Sequence, residues 1–374
     1  MTMQINAIEI NEWKNALKTL KLLSVLPDTD ICVSLTACPD NKLLVQCQTT
    51  SASFRLTLTG DTDKTGTVVA SKEILDKLVF SGKNLSLASK DNQLLIKAGR
   101  SQYSIGLLAK SKAVLVPEMD GAGDDIIQLP SGTLQHAIAT TWFGQSDDGG
   151  EDIRVLAGKG LLIVEAADAM RCAYCIKKIP TWKDAAPSMF VIKKVVLAGL
   201  LKSFEKTDIL ALRIVKDKSI IINNGTHQVE LPTIGATALY EVRKEVKEHT
   251  TRLKVSANLQ FKSEDIRGVA DGITSVLRNA EQGRKLPVEL MVKKGFLIVR
   301  AVEELAKFST RIPVAGDKDA EPFKVLNKHF SSFLNQAQSA GTEGTIKVWG
   351  KDLVTIEFNT ETDRVLYALP QVVG

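Results

Sequence analysis

The sequence predicts an α+β chain made of three similar units, each with two helices packed on antiparallel sheet. Three observations predict it. A helix–strands–helix–strands order recurs three times along the 374 residues. Two of the strand pairs open on nearly the same hexapeptide, KGLLIV at 159–164 and KGFLIV at 294–299. Every unit closes on a hairpin, the first of them NQLLIKAGRSQYSI at 92–105.

The first helices are expected at 10–23, 130–143 and 262–277. Ile10, Trp13, Leu17 and Leu20 share one face of the first, while Ser131 and Ser263 are placed as N-caps of the other two. Strand pairs follow at 41–60, 159–179 and 294–314. The second helices are expected at 71–82, 192–204 and 326–337. The closing hairpins occupy 92–105, 218–231 and 351–369. In the first, Leu94 and Ile96 alternate with polar neighbours, Ala98-Gly99-Arg100 turns the chain, and Tyr103 and Ile105 resume the alternation. The segments 119–125 and 241–250 are the natural joints, giving domains at 1–124, 125–249 and 250–374.

Composition sets bounds on function. The chain is 44% hydrophobic and 24% charged, so it folds around cores; aromatics are only 5%, so those cores are largely aliphatic. The N-terminal stretch carries acidic residues and no apolar h-region, and no apolar run is long enough to span a bilayer. A cytoplasmic location with no membrane partner is expected. The net charge of +5 permits an acidic partner without requiring one.

Catalytic signatures are missing. The chain has no GxxxxGK[ST], GxGxxG, HExxH or GxSxG, and its four histidines lack metal spacing. Cys172 and Cys175 have redox-pair spacing but lie in a strand-like run with no second pair, so they read as structural thiols among the five cysteines. Asn224-Gly225-Thr226 reads as a hairpin turn rather than a glycosylation site. The acidic loop at 147–152 could hold a hard cation, but its glycines favour a solvated loop. No catalytic residue, metal or cofactor is expected.

Basic residues recur on the predicted helices. Lys14, Lys18 and Lys21 form a stripe opposite the apolar face of the first. Lys72 belongs to its partner helix, Lys193, Lys194 and Lys202 flank the second helix of the middle unit, and Lys324 and Lys328 are four apart in the third. Any one of these suits a solvated face. Their recurrence at equivalent helices points to a surface for a polyanion, bound through phosphates and without sequence preference. No aromatic platform for single-stranded bases accompanies them.

The stretches LLIKAGRSQYSIGLL, LVPEMDG, IIQLPSGTLQHAI, MFVIKKVVLAGLL and the terminal YALPQVVG, in this order and spacing, resemble the bacterial DNA polymerase III beta subunit, the sliding clamp. The resemblance covers nearly the whole chain. It implies three clamp domains forming half of a ring, and a homodimer that encircles double-stranded DNA and tethers the polymerase without catalysis of its own. It further implies a cleft for short peptides of the polymerase and clamp loader, at Ala157, Met170, Arg171, Cys172, Tyr240, Val242, Tyr367, Leu369 and Pro370. The implied dimer interface places Tyr103 and Ile105 on one side and Ile273 on the other.

The chain departs from the family at Ala167-Asp168-Ala169-Met170-Arg171-Cys172, where Thr-Asp-Gly-His-Arg-Leu is common, near Ala238, and in its terminal residues. These departures imply a divergent member, of phage or mobile-element type, with altered peptide specificity. The rival readings are an interaction scaffold that keeps the fold without replicative function, and a metal-dependent enzyme built on the 147–152 loop.

Overall fold

A computed structural model of the chain describes residues 2–23, 31–49, 52–119, 126–141, 152–167, 171–183, 187–215, 218–233, 242–277, 286–303, 306–317 and 319–372. The same element order runs through each third. The first holds β1 (Gln4–Glu9), α1 (Ile10–Leu23), β2 (Cys32–Cys38), β3 (Lys42–Gln48), β4 (Ser53–Thr59), a short β5 (Asp61–Lys64), β6 (Gly66–Ser71), α2 (Lys72–Asp76), β7 (Asn84–Lys90), β8 (Gln93–Ala98) and β9 (Ser101–Gly106). The second holds β10 (Ile126–Pro130), α3 (Ser131–Thr140), β11 (Asp152–Gly158), β12 (Leu161–Ala167), β13 (Cys172–Lys178), β14 (Ser188–Lys193), α4 (Lys194–Leu201), β15 (Ile209–Val215), β16 (Ser219–Asn223) and β17 (His227–Pro232).

Helix α5 (Val242–Arg252) follows as a connector. The last third holds β18 (Val255–Lys262), α6 (Val269–Val276), β19 (Pro287–Lys293), β20 (Phe296–Glu303), β21 (Ala306–Pro313), a short β22 (Ala315–Gly316), β23 (Asp319–Leu326), α7 (Asn327–Ala340), β24 (Glu343–Trp349), β25 (Leu353–Asn359) and β26 (Asp363–Pro370). The expected α+β class and strand-rich repeat are present. The strand before each helix (β1, β10, β18; β6, β14, β23) is absent from the sequence reading, because these short runs merge into helix patterns.

Strand pairing cuts across the thirds. The chain forms two compact units, 1–133 with 195–235 and 134–194 with 236–374. The first contains a five-stranded sheet, β5-β1-β7-β8-β9, and an eight-stranded sheet, β10-β15-β16-β17-β4-β3-β2-β6. The second contains a nine-stranded sheet, β14-β11-β12-β13-β26-β25-β24-β18-β22, and a four-stranded sheet, β21-β20-β19-β23. The long sheets are seams between thirds. β17 pairs antiparallel with β4, setting Val229 opposite Phe54; β26 pairs with β13, setting Tyr367 opposite Ala173.

Local structure follows from residue chemistry. On α1 the residues Ile10, Trp13, Ala16, Thr19 and Leu20 are buried, with Leu17 at the margin, and the Trp13 ring meets Phe80 edge-on at 6.4 Å. The expected 262–277 helix is broken: a 3-10 turn covers Ser263–Ile266, and α6 starts only after Gly268, whose φ of 75° lies in the left-handed region. Ser263 therefore caps nothing; its hydroxyl donates to the Gly341 carbonyl. The Asn224 turn forms as expected, its Oδ1 accepting the Thr226 and His227 amides at 3.2 and 2.8 Å. In the second unit, Tyr367 and Phe358 from β26 and β25 pack on Phe333 of α7, with Tyr367 and Phe333 centroids 5.5 Å apart.

Candidate functional site

The two seams obey one rule. The last strand of a closing hairpin (β17, β26) pairs with the third strand of the meander in the preceding third (β4, β13). Of the three hairpin strands and three meander strands, β9 and β21 are left over, and each ends a sheet with one neighbour among the described residues. These two edges are the partners the rule leaves over.

Both edges carry aromatic rings. Tyr103 on β9 is half-buried, stacks edge-on with Phe80 at 5.9 Å, and donates its hydroxyl to the Val79 carbonyl. Ile105 is buried in the same strand. On β21, Phe308 is half-buried and rests on α6, where Gly272 leaves room for its ring. Ile273, the residue assigned to this side by resemblance, is fully buried. It cannot touch another chain as it stands, because it faces into its own core; the edge itself is Ala306–Pro313. Phe308 escapes the sequence reading because AKFSTRIP alternates like any half-exposed strand.

The nine lysines divide. Lys14 and Lys18 are exposed on α1, Lys193 is exposed at the end of β14, and Lys202 is exposed just past α4. Lys72 is buried and tied to Asp76 by a 2.7 Å ion pair one helical turn away, so it presents no charge to a partner. Lys324 and Lys328 do not share a helix: Lys324 is exposed on β23, and Lys328 is half-buried in the first turn of α7. The i, i+4 reading fails there because the helix begins only at Asn327. The side chains of Lys21 and Lys194 lie outside the described residues.

The peptide-cleft positions separate by strand face. Arg171 is buried just before β13, and Cys172 is half-buried at its start. Ala157 is buried on β11, and Pro370 is half-buried at the end of β26. Tyr367 and Leu369 are both buried. Tyr367 points the opposite way from Leu366 and Ala368 and packs on the α7 aromatic cluster, since side chains alternate along a strand. Met170, Tyr240 and the side chain of Val242 lie outside the described residues.

Cys172 and Cys175 sit three apart on β13, which turns their sulfurs to opposite faces of the sheet. Burial pushes the Cys175 thiol up to about 11 and the Cys47 thiol up to about 12, so both stay protonated. Among the described residues no group of His, Cys, Asp and Glu side chains could hold a metal, and no helix is long and apolar enough to cross a membrane. The acidic loop falls outside the described residues except for Asp152.

No family model matches the sequence, and no curated protein sequence is similar to it. The fold, by contrast, has clear relatives among solved structures. The DNA polymerase sliding clamp of Bacillus subtilis superposes with a TM-score of 0.82 at 14% identity, covering 100% of both chains. The DNA polymerase III beta subunit of Thermotoga maritima gives 0.80 at 10% identity. The beta sliding clamp of C. crescentus gives 0.75 at 18%, and both of these also cover 100% of each chain. Over its whole length, the chain has the fold of the DNA polymerase III beta subunits.

Proposed function

We propose that the chain is a DNA sliding clamp: a head-to-tail homodimer that closes into a ring around double-stranded DNA and tethers a polymerase to it. The observation that carries this reading is the pairing rule, which among the described residues is unfulfilled at β9 and β21. A second copy completes it twice, β9 of each chain adding to β21 of the other, and two such junctions close a cycle. Pairing also removes two open sheet edges, which are a hazard in a soluble chain.

The rule supplies a register. Phe54, Ala173 and Phe308 hold equivalent places, each opposite the inward residue of the strand before it (Cys47, Ala166, Ala301). Val229, Tyr367 and Tyr103 are equivalent in the hairpins, opposite Ile222, Ile356 and Ile96. Since Phe54 faces Val229 and Ala173 faces Tyr367, Phe308 of one copy faces Tyr103 of the other. An aromatic cross-strand pair of this kind is worth about 0.2–1 kcal/mol beyond the backbone bonds.

In this reading Lys14, Lys18, Lys193 and Lys202, with Lys324, supply diffuse contacts to phosphates. Such contacts are indifferent to sequence, so the ring slides, and enclosure rather than affinity keeps it on the duplex. Domains at 1–124, 125–249 and 250–374 are the repeated parts, and the polymerase and loader dock by short peptides. No catalytic step is required of the chain.

The test is retention on nicked circular duplex after loading, together with solution mass. Twice the chain mass, retention on circles and release on linearisation are expected. A strict monomer at micromolar concentration, or equal retention on linear DNA, overturns the ring.

A further inference from the structure

The tip of the β16–β17 hairpin holds the chain's single Asn-Gly pair, Asn224-Gly225. Three donors converge on Asn224 Oδ1: the Thr226 and His227 amides at 3.2 and 2.8 Å, and Thr226 Oγ1 at 3.1 Å. Thr226 Oγ1 also lies 2.9 Å from His227 Nδ1. Because an amide oxygen only accepts, the Thr226 hydroxyl donates to it, and His227 Nδ1 donates in turn to Thr226. The same turn is tied to its surroundings. Asn224 Nδ2 donates to Asp208 Oδ2 at 3.2 Å, and the Thr226 carbonyl accepts the Thr57 amide of β4 at 2.9 Å.

This set of donors does more than shape the turn. It polarises the Asn224 side-chain carbonyl and stands where negative charge gathers when a nucleophile attacks Cγ, as the donors of an oxyanion hole do. The adjacent nucleophile is the Gly225 nitrogen, whose amide donates to Asn223 Oδ1 at 2.7 Å. Gly225 is exposed with a φ of 94°, and a Cβ there would meet nothing within 4 Å, so solvent base reaches the amide proton.

We infer that Asn224 is a self-modification site: it deamidates through a cyclic imide with Gly225, the Thr226 hydroxyl speeds that step, and the product loosens the seam between β17 and β4. Solvent hydroxide removes the Gly225 amide proton, and the nitrogen bonds to Asn224 Cγ. The carbonyl electron pair moves onto Oδ1 and returns as the Cγ–Nδ2 bond breaks. Nδ2 takes a proton from water and leaves as ammonia. Water then opens the imide at either carbonyl, giving aspartate or isoaspartate, and nothing is oxidised or reduced. Either product sets a carboxylate beside Asp208 in place of the amide that donated to it. Isoaspartate also adds one carbon, about 1.5 Å, to the main chain two residues before Thr226, which pulls the Thr226 carbonyl from the Thr57 amide.

The experiment incubates the full chain at mildly alkaline pH below its melting temperature, beside the peptide acetyl-INNGTHQV-amide, and follows ammonia release and, by peptide mapping, isoaspartate. Conversion at Asn224 is expected in both. Thr226→Val is expected to slow the chain about threefold or more, the worth of one hydrogen bond, and to leave the peptide nearly unchanged, since only the fold gathers the donors. The converted chain, separated by ion exchange, is expected to melt below the parent. No conversion in the chain, an equal effect of Thr226→Val on chain and peptide, or an unchanged melting temperature overturns the inference. None of these readouts depends on DNA or on dimer mass, so the clamp reading stands or falls separately.

Discussion

Phe308 lies across Gly272: a Cβ on Gly272 would stand 2.2 Å from the Phe308 ring. Two carbons cannot approach so closely, so Gly272→Ala must swing the ring off its seat. Gly272 lies inside α6 with ordinary helical backbone, and Ala there gains roughly 1 kcal/mol of helix propensity, which offsets the weaker packing of the ring. Monomer stability should change by less than about 1 kcal/mol. The dimer should weaken by about tenfold or more, because the displaced ring is a central side chain of the β21 edge. Sedimentation against concentration measures it, and an unaltered dimer with a displaced Phe308 would remove β21 from the junction.

The register sets a stricter test. With Tyr103 opposite Phe308 of the other copy, Tyr103→Lys and Phe308→Lys should each give monomers, and the double variant should stay monomeric through like-charge repulsion. Tyr103→Glu with Phe308→Lys should recover part of the dimer. A slip by one residue turns every side chain to the other face, so charge pairing would then give no recovery. The double-mutant cycle reads the coupling, expected at about 0.5–3 kcal/mol if the two residues touch.

How far the sequence foretold these features depends on what each residue answers to. Alternation and turn chemistry are local, so β8, β9 and the Gly99-Arg100 turn could be read directly from their residues. Gly268 could have signalled the break before α6, but the surrounding apolar spacing outweighed it. Which hairpin strand meets which meander strand is a long-range matter, and nothing within β17 or β26 announces a partner more than a hundred residues earlier. The lysines show the same limit. Lys14 and Lys72 look alike on a helical wheel, and only the packing around Lys72 separates them. Position along the chain assigns Tyr367 and Leu369 to a surface, whereas burial gives Tyr367 to the α7 core.

That difference between lysines predicts opposite phenotypes. Lys14→Glu, at an exposed site, should leave stability within about 0.5 kcal/mol of the parent. It should lower DNA association, and the slope of log K against log salt should fall by about 0.9 for each phosphate that the variant no longer neutralises. Lys72→Glu should do the reverse in vitro. It buries a carboxylate beside Asp76 and should cost about 3–5 kcal/mol, seen in denaturant melts, with any loss of DNA binding explained by unfolding. Equal effects of both substitutions on folded protein would remove the distinction between paired and phosphate-facing lysines.

His227 ties stability to pH through the β17–β4 seam, where it stands opposite Leu56. Its ring packs edge-on against Phe204 at 5.8 Å, and its Nε2 is buried without a hydrogen-bond partner among the described residues. Burial therefore holds its pKa below the ordinary histidine value, and His136 is depressed in the same direction, chiefly by burial. Between the depressed and ordinary values the unfolded chain binds more protons than the folded one, so stability falls as pH falls through that window and levels off below it. Melting temperature should drop between about pH 7 and about pH 5, with a slope of at most about 1.4 kcal/mol per pH unit from each site. His227→Phe keeps an apolar ring against Phe204 and removes the ionisation, so it should flatten the His227 share of that slope while His136 retains its own. An unchanged slope in His227→Phe would mean that the folded chain protonates this ring as readily as the unfolded one does.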